Sequence, residues 1–122
     1  YLNTGQPYLP QYQKYANAYK AAGDVPEITG GIPDGKYIYL VRMDRSIVYY
    51  QRDGAKFPHP NLSQGQNVLT AGEIEMASGQ VVWISNQSGH FQPSSLSLQI
   101  AKLILQAKGL WGRESQVTPF QP

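Results

Sequence analysis

Histidine occurs twice in this chain of 122 residues, at His59 and His90. Two imidazoles are a minimal set that can supply both a base and an acid near neutral pH. Lys56 stands shortly before the first, and Ser88 and Gly89 stand directly before the second. In-line cleavage of an RNA phosphodiester needs a base for the 2′-hydroxyl, an acid for the leaving oxygen and a cation for the phosphate. His90 and His59 fill the first two roles, and Lys56 or Arg42 the third. Ser88, Gly89 and the backbone N–H groups beside them form a candidate phosphate cradle. Arg42 and Glu73 complete the expected substrate-binding set. A plainer reading stands beside this one: Ser88-Gly89-His90-Phe91 is a corner in which Gly89 supplies backbone freedom, and Lys56, Arg42, Arg45 and Arg52 are solvated surface cations.

Other chemistries lack their residues. The chain has no cysteine, which removes disulfides, thiol nucleophiles and thiolate metal sites. Two histidines and scattered carboxylates lack ligand spacing, so neither a metal nor another cofactor is expected. Nucleophile elbow, phosphate loop and dinucleotide fingerprint are all missing. A formal charge of +2 with scattered Lys and Arg permits an anionic partner without demanding one. No apolar run is long enough to cross a bilayer and no leader opens the chain. The expectation is a soluble domain, secreted or delivered into a target cell. Tyr1 is not a natural start, so a fragment or processed end of a larger chain is expected.

The candidate residues are positioned by a short series of elements. The stretch from Val68 to Pro93 organises the rest. Val68 to Ala77 alternates Ile74 and Met76 against Glu73 and Glu75, the period of a half-buried strand. Ser78-Gly79 turns it into a second strand, Gln80 to about Asn86, rich in β-branched and aromatic residues. The polar run Asn86 to His90 then delivers His90 to the mouth of a helix. That helix opens near Ser94 or Ser95 as N-cap, carries Leu96, Ile100, Leu103, Ile104 and Ala107 on one face, and stops at Lys108-Gly109.

Upstream, residues 1–9 read as an arm. Pro10 to Gly23 reads as an amphipathic helix with Tyr12, Tyr15, Ala16 and Tyr19 on one stripe, packed in the core or serving as a base-stacking platform. Residues 24–35 are loop. Lys36 to Met43 and Ile47 to Tyr50 form a hairpin around Asp44-Arg45-Ser46. Gln51 to Gln66 is a long polar connection of the sort that is functional or mobile. Trp111 to Pro122 reads as an irregular tail. The expected fold is one α+β domain spanning residues 1–122: an antiparallel four-stranded meander with an N-terminal and a C-terminal helix packed on it.

The spacing of His59, Leu62 and Gly65, then Ala71-Gly72-Glu73, Gly79, and Ser88-Gly89-His90-Phe91-Gln92-Pro93 resembles a module of bacterial polymorphic toxins and of plant IQ-motif calmodulin-binding proteins. Phe91 stands where that pattern has Tyr, and Pro58 and Pro60 flank His59 where it has small polar residues. The resemblance implies an effector or toxin domain, and the residues then point to a metal-independent ribonuclease. A toxin must be silenced in its producer, which implies an acidic immunity partner covering the His90 corner or the loop around His59. The alternative is a non-catalytic module binding a protein or an anionic ligand through the same corner. A third reading notes that Glu73 and Glu75, leaving one strand on one side, resemble the paired glutamates of ADP-ribosyltransferases, with Arg42 in the arginine's part; the Ser-Thr-Ser segment of those enzymes is absent between them.

Overall fold

The strand Gly35–Arg42 (β1) carries Tyr37, Tyr39 and Val41 on one side and Ile38 and Leu40 on the other, and all five are buried. A strand apolar on both sides belongs in the interior of a sheet covered on both faces. β1 holds that place in a computed structural model that describes residues 26–51, 62, 67–88 and 93–120. On one flank it pairs antiparallel with Ile47–Gln51 (β2), and on the other with Val68–Ala77 (β3). The β1–β2 hairpin closes through Asp44, whose carboxylate accepts both the backbone N–H of Ser46 at 3.0 Å and its hydroxyl at 2.7 Å. Those two bonds hold the Asp44 carboxyl below its ordinary value.

β3 turns through Ser78 and Gly79, at φ of 54° and 75°, into Gln80–Ser85 (β4). Positive φ at both turn residues matches the twist of the flanking strands. A 3-10 turn, Ser95–Ser97, then leads into the helix Leu98–Ala107 (α1), and Gly109 follows at φ 73°. The strand Gln116–Thr118 (β5) lies parallel to β4.

The sheet order is β2-β1-β3-β4-β5, which corrects the four-stranded antiparallel meander in two respects. β3 sits beside β1 rather than β2, because β2 is buried only at its first two residues and ends in exposed Tyr50 and Gln51, the profile of an edge. Residues 116–118 are also a strand and not part of an irregular tail. They are anchored by Ser115, which accepts the N–H of Gly112 and donates to the Val81 carbonyl. Three residues carry too short a period to be legible in the sequence.

Two apolar layers cover the sheet. Tyr37, Tyr39, Val41, Ile47, Ile74, Met76 and Ile84 pack beneath Leu98, Ala101 and Leu105 of α1, together with Leu110. Ile38, Leu40, Val48, Val68 and Ala71 lie on the opposite face with Leu62. The buried face of α1 differs from the expected stripe. Ile100 and Ile104 are half-buried, but Leu96 is 75% and Leu103 64% exposed, and Ala107 is exposed too. Leu96 belongs to the 3-10 turn, whose three-residue period does not run on into the 3.6-residue period of α1. Leu103 falls about 200° around the helix from Leu105. Ser94 occupies the N-cap position of the 3-10 turn without a side-chain cap bond; its carbonyl instead accepts the Ser97 N–H at 3.1 Å and the Ser97 hydroxyl at 2.7 Å.

No helix among the described residues is long and apolar enough to cross a membrane. The arm at 1–9 and the helix expected at Pro10 to Gly23 lie outside the described residues.

Candidate functional site

Registers place a row of residues across one sheet face: Tyr50 opposite Ile38, and Ile38 opposite Glu73. Glu73 is only 9% exposed. One pleat further along β3, Glu75 is half-buried between Lys36 and Trp83. The two glutamates thus share a face, and Ile74 and Met76 take the face under α1, as the alternation predicts. Arg42 is also on the glutamates' face but four residues from Ile38, about 13 Å along the strand. It is half-buried and lines a shallow pocket of about 260 Å³ with Met43, Asp44 and Asn67. The structure therefore groups Glu73 with Glu75 and sets Arg42 at the far end of the face.

At the other end of the row the Ser85 hydroxyl accepts the N–H of Glu73 at 3.2 Å and of Gln87 at 3.3 Å. One side chain so joins the middle of β3 to the polar corner that follows β4. Fully buried Asn86 fixes that corner: its amide donates to the Pro93 carbonyl at 2.8 Å and to the Phe120 carbonyl at 2.7 Å, and its Oδ1 accepts the Phe120 N–H at 2.6 Å. Three bonds exhaust the two amide protons and use the carbonyl oxygen. Asn86 thus ties the end of β4 to Pro93 and Phe120.

The corner also depends on what lies beneath it. A Cβ on Gly72 would overlap the Ser85 carbonyl oxygen, so β3 and β4 approach here only because residue 72 has no side chain. That carbonyl accepts the hydroxyl of Tyr39 at 2.8 Å. Burial pushes the Tyr39 hydroxyl well above the usual phenol range, an effect opposed in part by its contact with the Thr70 hydroxyl. Thr70 in turn meets the Ser97 hydroxyl at 2.7 Å, and Ser97 donates onward to the Ser94 carbonyl. Ser97 spends its one proton on Ser94, so Thr70 is the donor between them. Hydroxyls from β1, β3 and the 3-10 turn thus set the start of α1 relative to the sheet.

Of the expected site residues, Glu73, Ser88 and Arg42 are described. Ser88 is buried at the corner. His59, His90, Lys56 and Gly89 lie outside the described residues, as do Arg52 and Phe91. The described neighbours of the histidine segments are ordered by packing: Leu62 is buried in the apolar layer on the face of Glu73, and Pro93 is held by Asn86. The sequence reading gave Asn86, Tyr39 and Gly72 no role in positioning the site. The signal for the first was an amide placed where a strand meets a corner, and for the last a glycine inside an otherwise strong strand. Among the described residues no three His, Cys, Asp or Glu gather closely enough to hold a metal.

A family model described as the IQ motif-containing protein middle domain matches residues 13–98, which takes in β1 to β4, the corner and the 3-10 turn. No curated protein and no solved structure matches the chain.

Proposed function

The chain belongs to the family of IQ motif-containing protein middle domains; on its own residues, and not on that membership, we propose that it is an effector- or toxin-type catalytic unit, a metal-independent ribonuclease in which Glu73 assists the acid–base groups. The burial of Glu73 carries this reading. A buried carboxylate that accepts an imidazole N–H fixes the tautomer of the ring and favours its protonated form. Glu73 is joined through Ser85 to Gln87, at the root of the corner that precedes His90 in the chain.

In the proposed step His90 takes the 2′-hydroxyl proton as that oxygen attacks phosphorus, with Glu73 proposed as the carboxylate that would steady its ring. The bond to the 5′-oxygen breaks, His59 supplies the proton that the leaving oxygen needs, and a 2′,3′-cyclic phosphate forms. Lys56 offsets the developing charge on the phosphate. Arg42, about 13 Å along the face, suits a flanking phosphate better than the scissile one.

Purified protein incubated with total RNA in EDTA tests this. Cleavage should fall by about 10²-fold or more in Glu73→Gln and in His90→Ala, with both variants still folded by thermal melts. RNA left intact across a dilution series, or Glu73→Gln cleaving as wild type does, refutes it.

The same reading carries an acidic immunity partner, to be sought by co-purification, and delivery into a target cell. An ADP-ribosyltransferase is the weaker enzymatic alternative, because Arg42 stands about 13 Å along the face from the row that holds Glu73. The family's description refers to an IQ motif, but the chain contains no Ile-Gln pair, so we assign calmodulin to none of its surfaces. A non-catalytic binding role has an observation of its own, a tyrosine-lined cleft at the β2 edge.

A further inference from the structure

The cleft at the β2 edge has a volume of about 410 Å³ and is lined by Pro26, Pro33, Asp34, Tyr37, Tyr49 and the end of β2. Its walls are joined by several contacts. Tyr37 and Tyr49 meet edge to face with ring centres 5.2 Å apart and planes at 87°. The Tyr37 hydroxyl donates to the Pro33 carbonyl at 2.7 Å, and the backbone of Pro26 accepts the Tyr49 N–H at 3.1 Å. The Asp34 carboxylate accepts the Ser78 N–H at 2.9 Å, which fixes its place at the rim, and it stands close enough to Tyr37 to help raise that hydroxyl's pKa, behind the larger effect of burial.

We propose that this cleft binds a proline-rich segment of a partner protein, extended as polyproline II and carrying an Arg or Lys beside its prolines. Extended proline-rich chains dock into aromatic-lined grooves, and their unpaired carbonyls can be satisfied by a phenol hydroxyl; Tyr37 gives its proton to Pro33, so that part falls to Tyr49. Such a segment is already extended, so docking costs little ordering entropy. Charge selects the flanking residue. The chain as a whole is positive by +2, yet the rim of this cleft presents the carboxylate of Asp34, which suits a cation and disfavours a phosphate backbone. The cleft does not include Glu73, so this inference and the ribonuclease reading stand or fall separately.

The test uses the full chain and an acetylated peptide of three Pro-Pro-Ala blocks ending in Arg, followed by tyrosine fluorescence and by amide shifts of Tyr37, Tyr49 and Asp34. Saturable binding is expected. Tyr49→Ala should weaken it about tenfold or more, Tyr49→Phe much less, and Asp34→Asn should weaken the Arg peptide roughly threefold to fivefold without affecting a peptide ending in Gln. Asp34→Asn keeps an acceptor for Ser78, so it remains informative if Tyr49→Ala fails to fold. The inference is overturned by absence of saturable shifts up to millimolar peptide, by equal binding of the Arg and Gln peptides, or by nucleotides or oligonucleotides shifting the same residues more strongly.

Discussion

Replacing Gly72 by Ala isolates the contact on which the corner rests. Nothing about its backbone angles demands glycine, since among the described glycines positive φ is found at residues 35, 79 and 109. The demand is for space: the new methyl would overlap the Ser85 carbonyl, a backbone atom that cannot rotate away. β4 must therefore move off β3 at its last residue. Overpacking of this type costs about 1–3 kcal/mol. The displacement also strains the bond from buried Tyr39 to the Ser85 carbonyl, a further loss of about 1 kcal/mol. At roughly 4 °C per kcal/mol for a domain of this size, the melting temperature should fall by about 8–16 °C. Differential scanning calorimetry measures it, and the amide signals of Glu73 and Gln87, which share the Ser85 hydroxyl, should move in the same variant. Gly79→Ala is the control, costing about 1–2 kcal/mol through its left-handed φ while leaving those two amides in place. A Gly72→Ala protein within about 1 kcal/mol of wild type by urea titration would show that the close approach of β3 and β4 is not what holds the corner.

Asn86→Ala removes three hydrogen bonds and leaves the Pro93 carbonyl and both backbone groups of Phe120 without that partner, so a loss of about 2–4 kcal/mol is expected in urea denaturation. Leu105→Ala should cost about 2–5 kcal/mol and Leu103→Ala less than about 0.5, a contrast that thermal melts resolve and that follows from their opposite exposures. Tyr39 has a folded-state pKa above its ordinary value of 10.0. Its contribution to stability is therefore complete below pH 10 and is lost as pH rises from there toward the folded value. Tyr39→Phe should flatten that alkaline limb while lowering stability at neutral pH by about 1 kcal/mol, read from denaturation midpoints across pH.

The alternation of residues 68–77 and the Ser78-Gly79 signal were enough to place the central hairpin, because period and turn chemistry are local. The β1–β2 hairpin was legible for the same reason. Sheet order was not, since the pairing of β3 with β1 depends on β1 being apolar on both faces, a property that periodicity alone reads as a stronger strand without naming its neighbours. β5 was hidden by its length, and the face of α1 by the 3-10 turn that breaks the phase at Leu96. At the site, Glu73 was legible as one of two glutamates on one strand face, but its burial was not, because the alternation reads that face as the solvated one. Asn86 did not, because the two partners that give it meaning, Pro93 and Phe120, are 7 and 34 residues away.

The parallel pairing of β5 with β4 has a consequence for how the chain is made. The residues that cover the flank of β4 are among the last described, after α1 and the bond from the Val81 N–H to the Leu110 carbonyl at 2.9 Å. As the polypeptide leaves the ribosome from its N-terminus, Val81, Val82, Trp83 and Ile84 emerge before the strand that screens them. An open edge of β-branched and aromatic residues recruits other strands. The nascent domain thus passes through an interval in which its most adhesive strand is exposed, and that interval ends only when residues 116–118 become available.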